Sequence, residues 1–226
     1  MNKQKSKAGI QWARFSWNPS TGCLNTCEYC YARKIAMRFQ GNFFPAFHEG
    51  RLKQPYAINE PSRIFVCSMG ELFGSWVPKE WQNQIIKVVK DNPQHTFQFL
   101  TKYPAGYKGL EFPKNAWLGF TPTDKMTIAD AMDFNSAGNG NIRFLSIEPL
   151  MSNVEPANLH LIKKPDWIIV GGMTPKPVHE QSWVDSIVDM CRKNKIPLFL
   201  KSNLHHPVSV EQFPEVGTEI NAKGGQ

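Results

Sequence analysis

The chain has 226 residues, 41% hydrophobic and 20% charged, with 17 Pro, 16 Gly and five Cys. That is enough apolar material for a buried core, and the wrong composition for a disulfide scaffold or a disordered tail. The longest strongly apolar run, Trp167-Ile168-Ile169-Val170, falls far short of the roughly 18–20 residues that cross a bilayer. The basic start leads into no hydrophobic signal core, so one cytoplasmic domain over residues 1–226 is the expectation, with no membrane partner.

The formal net charge is +7. Residues 1–53 hold nine basic side chains (Lys3, Lys5, Lys7, Arg14, Arg33, Lys34, Arg38, Arg51, Lys53) against Glu28 and Glu49. The whole excess therefore lies in the N-terminal part, about residues 1–60. A local positive field attracts phosphates, and a solvated basic face fits the same count.

In chain order, Arg14–Trp17 reads as a first strand, followed directly by a cysteine-rich loop. Between Gly41 and Pro61, Phe43, Phe44, Phe47 and Tyr56 interleave with His48, Arg51 and Lys53. That pattern suits base stacking or the apolar underside of a cover loop. Arg63–Cys67 is a β-rich run after Pro61. Pro78 opens a helix over Lys79–Lys90, with Trp81, Ile85, Val88 and Val89 at helical spacing. Asp91-Asn92-Pro93 ends it. Thr96–Leu100, Trp117–Phe120, Ile142–Ile147, Trp167–Val170 and Leu198–Lys201 are further strands. Helices from about Asp124 to Phe134 and Gln181 to Lys193 lie between them. Apolar strands alternating with helices predict a parallel α/β sheet, a partial (β/α) barrel of about six strands with helices outside.

Three cysteines crowd into Gly22-Cys23-Leu24-Asn25-Thr26-Cys27-Glu28-Tyr29-Cys30. In a reducing cytosol such spacing reads as metal ligation rather than disulfides. Thiolates select zinc, copper(I) or iron–sulfur clusters. Zinc usually takes paired knuckles and a fourth protein ligand, and the only nearby fourth donors, His48 and Cys67, form no second knuckle. Three cysteines without an obvious fourth suit a [4Fe–4S] cluster with one iron open. Cys67 and Cys191 read as small core residues, and Cys67 becomes a hydrogen donor if it faces the site. His205-His206 reads as surface. A non-catalytic zinc- or cluster-stabilised nucleic-acid-binding module is the alternative.

C-x3-C-x2-C with an aromatic before the last cysteine resembles the signature of the radical S-adenosylmethionine (SAM) superfamily. The resemblance implies that Cys23, Cys27 and Cys30 hold a [4Fe–4S] cluster whose fourth iron is chelated by S-adenosyl-L-methionine. Reductive cleavage of that SAM then yields a deoxyadenosyl radical, and Tyr29 lies near the adenine. It also implies that Ser68, Met69, Gly70 and Glu71 contact the methionyl amino group, that Thr121, Ser146 and Glu148 touch ribose and adenine, and that an external flavodoxin- or ferredoxin-like protein supplies the electron. Lys102 is a candidate for a substrate phosphate or carboxylate.

A series of blocks is similar to a phage-associated, three-cysteine radical-SAM-like family of unassigned function. The blocks are Trp17-Asn18-Pro19, Thr21-Gly22-Cys23, Tyr29-Cys30-Tyr31-Ala32, Phe65–Phe73, Phe97–Lys102, Leu145–Leu150 and Asp166–Gly172. The chain departs from that pattern at Met173-Thr174-Pro175 and at Ser202-Asn203-Leu204, on the expected substrate side. A nucleic acid or nucleotide is the expected substrate.

Overall fold

Strands that are apolar on both faces need cover on both, and this chain provides it from outside by helices and from inside by aromatic rings. The computed structural model describes residues 1–4, 9–122, 127–153 and 161–215. Its main sheet holds β1 (Asn2–Lys3), β2 (Phe15–Trp17), β5 (Arg63–Val66), β6 (Thr96–Thr101), β7 (Ala116–Phe120), β8 (Arg143–Ile147), β9 (Trp167–Val170) and β10 (Leu198–Leu200), side by side in that order. From β2 to β10 every pairing is parallel, and β1 adds to β2 antiparallel. A small ribbon, β3 (Ser20–Thr21) with β4 (Ala46–Phe47), sits beside it. Each parallel strand lies next to its predecessor in the chain, which is the winding of a (β/α) barrel. The arc is bridged by a side chain: Gln11 Nε2 donates to Ser202 Oγ at 2.6 Å, and Ser202 N donates to Gln11 Oε1 at 3.0 Å.

Four helices are described: α1 (Tyr31–Gln40), α2 (Lys79–Asp91), α3 (Ile128–Asn135) and α4 (Gln181–Asn194). In α2 the apolar stripe Ile85, Ile86, Val88 and Val89 is buried, and Asn92 closes the last turn by donating to Val88 O at 2.8 Å. The expected start of α3 near Asp124 falls partly outside the described residues. Within them the helix begins at Ile128, because Thr127 and Asp130 form a reciprocal capping box. Lys5, Lys7 and Thr123 also lie outside the described residues. α1 is not an element the apolar spacing announced: its mean composition is polar, and Cys30 caps it by accepting from Arg33 N at 3.3 Å.

Alternation along each strand sorts the core into two layers. Ile64, Val66, Phe97, Phe99, Leu118, Phe120, Leu145, Ile147, Ile168 and Val170 join the core under the helices. Phe65, Trp117, Phe144, Trp167, Ile169 and Phe199 point into the barrel, where Trp12, from the loop before β2, plugs the space. The Trp12 ring lies 4.6 Å from Phe65, 6.1 Å from Phe144 and 6.2 Å from Trp167, all edge-on. Each such ring contributes about 1.5–3 kcal/mol of burial. Among the described residues no helix is long and apolar enough to cross a membrane.

Candidate functional site

Above the aromatic floor, at the C-terminal ends of the strands, a cavity of about 740 Å³ opens. Cys23, Cys27 and Cys30 line it together with Tyr29, Ser68, Met69, Gly70, Glu71, Thr121, Ser146 and Glu148, so all eleven residues singled out in the sequence share one space. Cys67 faces the same cavity, whereas Cys191 is buried on α4 in the outer core.

The cysteine loop is held on three sides. At its start, Gly22 forms a parallel bridge with Gly70: Gly22 N donates to Met69 O at 2.9 Å and Glu71 N to Gly22 O at 3.1 Å. Gly22 has φ +87°, and a Cβ there would come within 2.0 Å of Phe44 O, so only glycine fits between these strands of backbone. Cys23 N donates to Phe43 O at 3.0 Å. In the middle, Arg33 reaches back to Cys23 O at 3.1 Å and to Asn25 O, and Tyr103 OH donates to Asn25 Oδ1. At its end, Tyr31 OH donates to Ser68 O at 2.6 Å, and Lys102 Nζ to Tyr29 OH at 2.7 Å.

The thiols are half-buried and free. Cys23 Sγ accepts from Asn25 N at 3.3 Å. Burial nevertheless pushes its thiol up to about 11, with Glu71 and the other two thiols adding to the shift. A thiol of that kind ionises when a metal takes the place of its proton. Among the described residues no three His, Cys, Asp or Glu side chains gather closely enough to share one metal ion. In a [4Fe–4S] cluster each thiolate binds a separate iron. Three half-buried sulfurs on one clamped loop, facing one cavity, fit a cluster.

The turn after β5 is strained and well anchored. Cys67 stands at φ 58°, and its buried thiol is pushed up to about 12 by desolvation. Asn18 Oδ1 accepts from Ser68 Oγ at 3.2 Å and from Met69 N at 3.0 Å. Glu71 is buried and takes three protein donors: Phe73 N at 3.0 Å, Thr101 Oγ1 at 2.7 Å and Lys102 N at 3.1 Å. Thr101 Oγ1 also accepts from Tyr103 N at 2.9 Å, so its proton is committed to Glu71. Burial raises the Glu71 carboxyl against these bonds. Most of its accepting capacity is spent on joining the β5 and β6 turns, which differs from a group kept free for a ligand ammonium.

Across the cavity, Glu148 pairs with Lys201. Gly172 and Asn203 exchange two amide hydrogen bonds, at 3.1 and 2.7 Å. The two stretches that depart from the family-like pattern, 173–175 and 202–204, thus belong to adjoining loops, and Met173, Thr174, Ser202 and Asn203 line one cavity. Lys201 and Asn203 were legible only as polar residues at a strand end. Trp12 and Ser146 line the cavity too, and Trp12 Nε1 and Ser146 Oγ are buried with no hydrogen-bond partner among the described residues. Buried polar atoms of this kind are uncommon. His205 is exposed, and His206 is tied to Asp185 at 3.0 Å.

This architecture, a mostly parallel α/β sheet with a cavity at the C-terminal ends of its strands, is similar in fold to spore photoproduct lyase. It matches a tyrosine-to-phenylalanine mutant of spore photoproduct lyase with a TM-score of 0.57 at 10% identity, over 84% of this chain and 76% of that one. Spore photoproduct lyase complexed with dinucleoside spore photoproduct matches with a TM-score of 0.51 at 12% identity, over 71% of this chain and 56% of that one. A cysteine and serine double mutant of the same enzyme, with bound AdoMet and dinucleoside spore photoproduct, matches with a TM-score of 0.51 at 12% identity, over 80% and 62%. The chain thus spans little more than half the length of the first of these complexes. At sequence level, residues 7–219 match the family described as "Protein of unknown function (DUF5131)", and the chain belongs to that family. No curated protein sequence matches it.

Proposed function

We propose that this protein is a radical SAM enzyme that acts on a nucleic acid or nucleotide in the cytoplasm. One observation carries the reading: three thiols on a loop clamped from three sides face a single cavity at the rim of a radical-SAM-type barrel. Cys23, Cys27 and Cys30 would hold the [4Fe–4S] cluster. The cluster, when bound and reduced by an external flavodoxin- or ferredoxin-like donor, supplies one electron to chelated S-adenosylmethionine and so starts radical chemistry.

The chain's own residues do the rest. Asn18 and Glu71 fix the turn that presents Ser68, Met69 and Gly70, leaving its backbone to meet the methionyl end. Lys102 holds the Tyr29 ring in place, its ammonium 5.1 Å from the ring centroid. Thr121, Ser146 and Glu148 offer polar atoms to the nucleoside part, and Lys201 balances Glu148. The aromatic floor excludes water from below, which protects reactive species. The basic N-terminal part and the likeness to an enzyme solved with a dinucleoside support the substrate class.

The test is anaerobic reduction of the reconstituted protein with SAM, followed by a search for 5′-deoxyadenosine. The wild type is expected to produce it, and Cys27→Ala to lose iron and product together. A Cys27→Ala protein that keeps both contradicts the assignment.

A further inference from the structure

A second cavity, of about 380 Å³, lies beside α1 and is walled by Ile35, Phe39, Gln40, Phe44, Arg51 and Gln54 among others. Its volume is within the range of small-ligand pockets. It shares Asn18, Ile35, Phe43 and Met69 with the main cavity, so the two spaces adjoin. Phe39 and Phe44 are 75% and 72% exposed, the two most exposed large apolar side chains described. Exposing two phenyl rings at the lip of one cleft forgoes burial that either ring could contribute. The Arg38 guanidinium lies 5.4 Å from the Phe39 ring centroid, Lys34 is exposed on the same helix, and among the described residues no acidic side chain lines the cleft.

We propose that this cleft is a stacking subsite for the nucleotide that flanks the reacting one, so that the substrate is a single strand of nucleic acid rather than a free nucleotide. The inference rests on the nucleic-acid reading above and specifies it. Exposed aromatic faces stack bases without regard to sequence, and neighbouring cations take the phosphates. The Gln40 and Gln54 amides on the wall suit base edges. The Phe44 carbonyl packs against Gly22, so this platform is fixed to the loop that carries the three thiols. A base stacked there holds its neighbour at the main cavity. An acidic protein would meet the same cations, but a cleft lined by rings and amides favours a base.

The test measures binding of fluorescently labelled single strands of one, two, four and eight nucleotides to reconstituted protein with SAM present. Affinity is expected to rise with length beyond one nucleotide. The double variant Phe39→Ala, Phe44→Ala is expected to lose about ten- to a hundredfold in strand affinity while its SAM affinity stays unchanged. Tryptophan at both positions should retain strand binding. The inference is overturned if the alanine variant binds every length as the wild type does, or if it loses instead its response to an acidic flavodoxin-type donor. Strand binding with this pattern by a chain that takes up no iron would keep the subsite and end the radical reading.

Discussion

The inside of the barrel is two different materials, and the boundary between them separates stability from chemistry. Below, Trp12, Phe65, Trp117, Phe144, Trp167 and Phe199 interlock edge to face and close the space. Above, the same strands end in Thr121, Ser146, Glu148 and Lys201 around an open cavity. The lower layer is held by ring packing, with Trp12 Nε1 as its one polar atom lacking a partner among the described residues of that layer. The upper layer keeps a buried hydroxyl without a partner, a residue at φ 58° and an ion pair part-exposed at the rim. A fold holds such features only where the packing beneath is secure.

The contrast can be broken from either side. Trp167→Ala strikes the floor, where the ring is fully buried. It should cost about 3–5 kcal/mol, read as a lowered thermal midpoint, while the folded fraction still takes up iron. Gly22→Ala strikes the loop: its strained φ and the close Phe44 carbonyl should cost about 1–3 kcal/mol and abolish iron uptake. Gly41 has a similar φ of 69° but open space around it, so Gly41→Ala should keep the iron and lose at most about 1 kcal/mol.

Ser146→Ala sharpens the comparison further. Removing an unpartnered buried hydroxyl should leave the midpoint unchanged or raise stability by up to about 1 kcal/mol. Calorimetric SAM binding should weaken several-fold at the same time. A variant that loses stability but not affinity would make Ser146 a structural residue.

The smallest effect lies at a pair of residues that belongs to neither layer. Burial disfavours the His206 charge, but Asp185 and the Val208 carbonyl outweigh it and hold the imidazole above its ordinary value. The stabilisation is therefore complete below the unfolded pKa of about 6.5 and is lost as pH rises through the higher folded value. Asp185 is exposed, so the change stays under about 1 kcal/mol. Asp185→Asn should flatten this part of the stability profile.

Much of this was legible in the sequence, for identifiable reasons. The buried parallel strands are short β-branched or aromatic runs, and Trp167–Val170 lies where its composition puts it. α2 and α4 carry amphipathic spacing and end within a residue of expectation. β5 stops at Val66 rather than Cys67, because Cys67 turns left-handed into the cavity. α1 escaped notice because its first turn is set by a cysteine cap rather than by an apolar stripe. Residues 41–61 are not a plain cover loop. Phe43 is buried between the two cavities, Phe47 stacks on Trp81 at 5.3 Å, Tyr56 bonds Asp91, and Phe44 alone of those four aromatics stands exposed at the lip of the α1 cleft with Phe39. The cysteine motif was readable because its chemistry is local. The Glu71 network and the Gly172–Asn203 pair were not, because each joins residues about 30 positions apart.

The central claim is best tested by iron itself. Protein purified and reconstituted anaerobically should be brown and hold about four iron atoms per chain, lost in Cys23→Ala, Cys27→Ala and Cys30→Ala alike. Stoichiometric zinc without iron, or iron retained by those variants, would contradict the account.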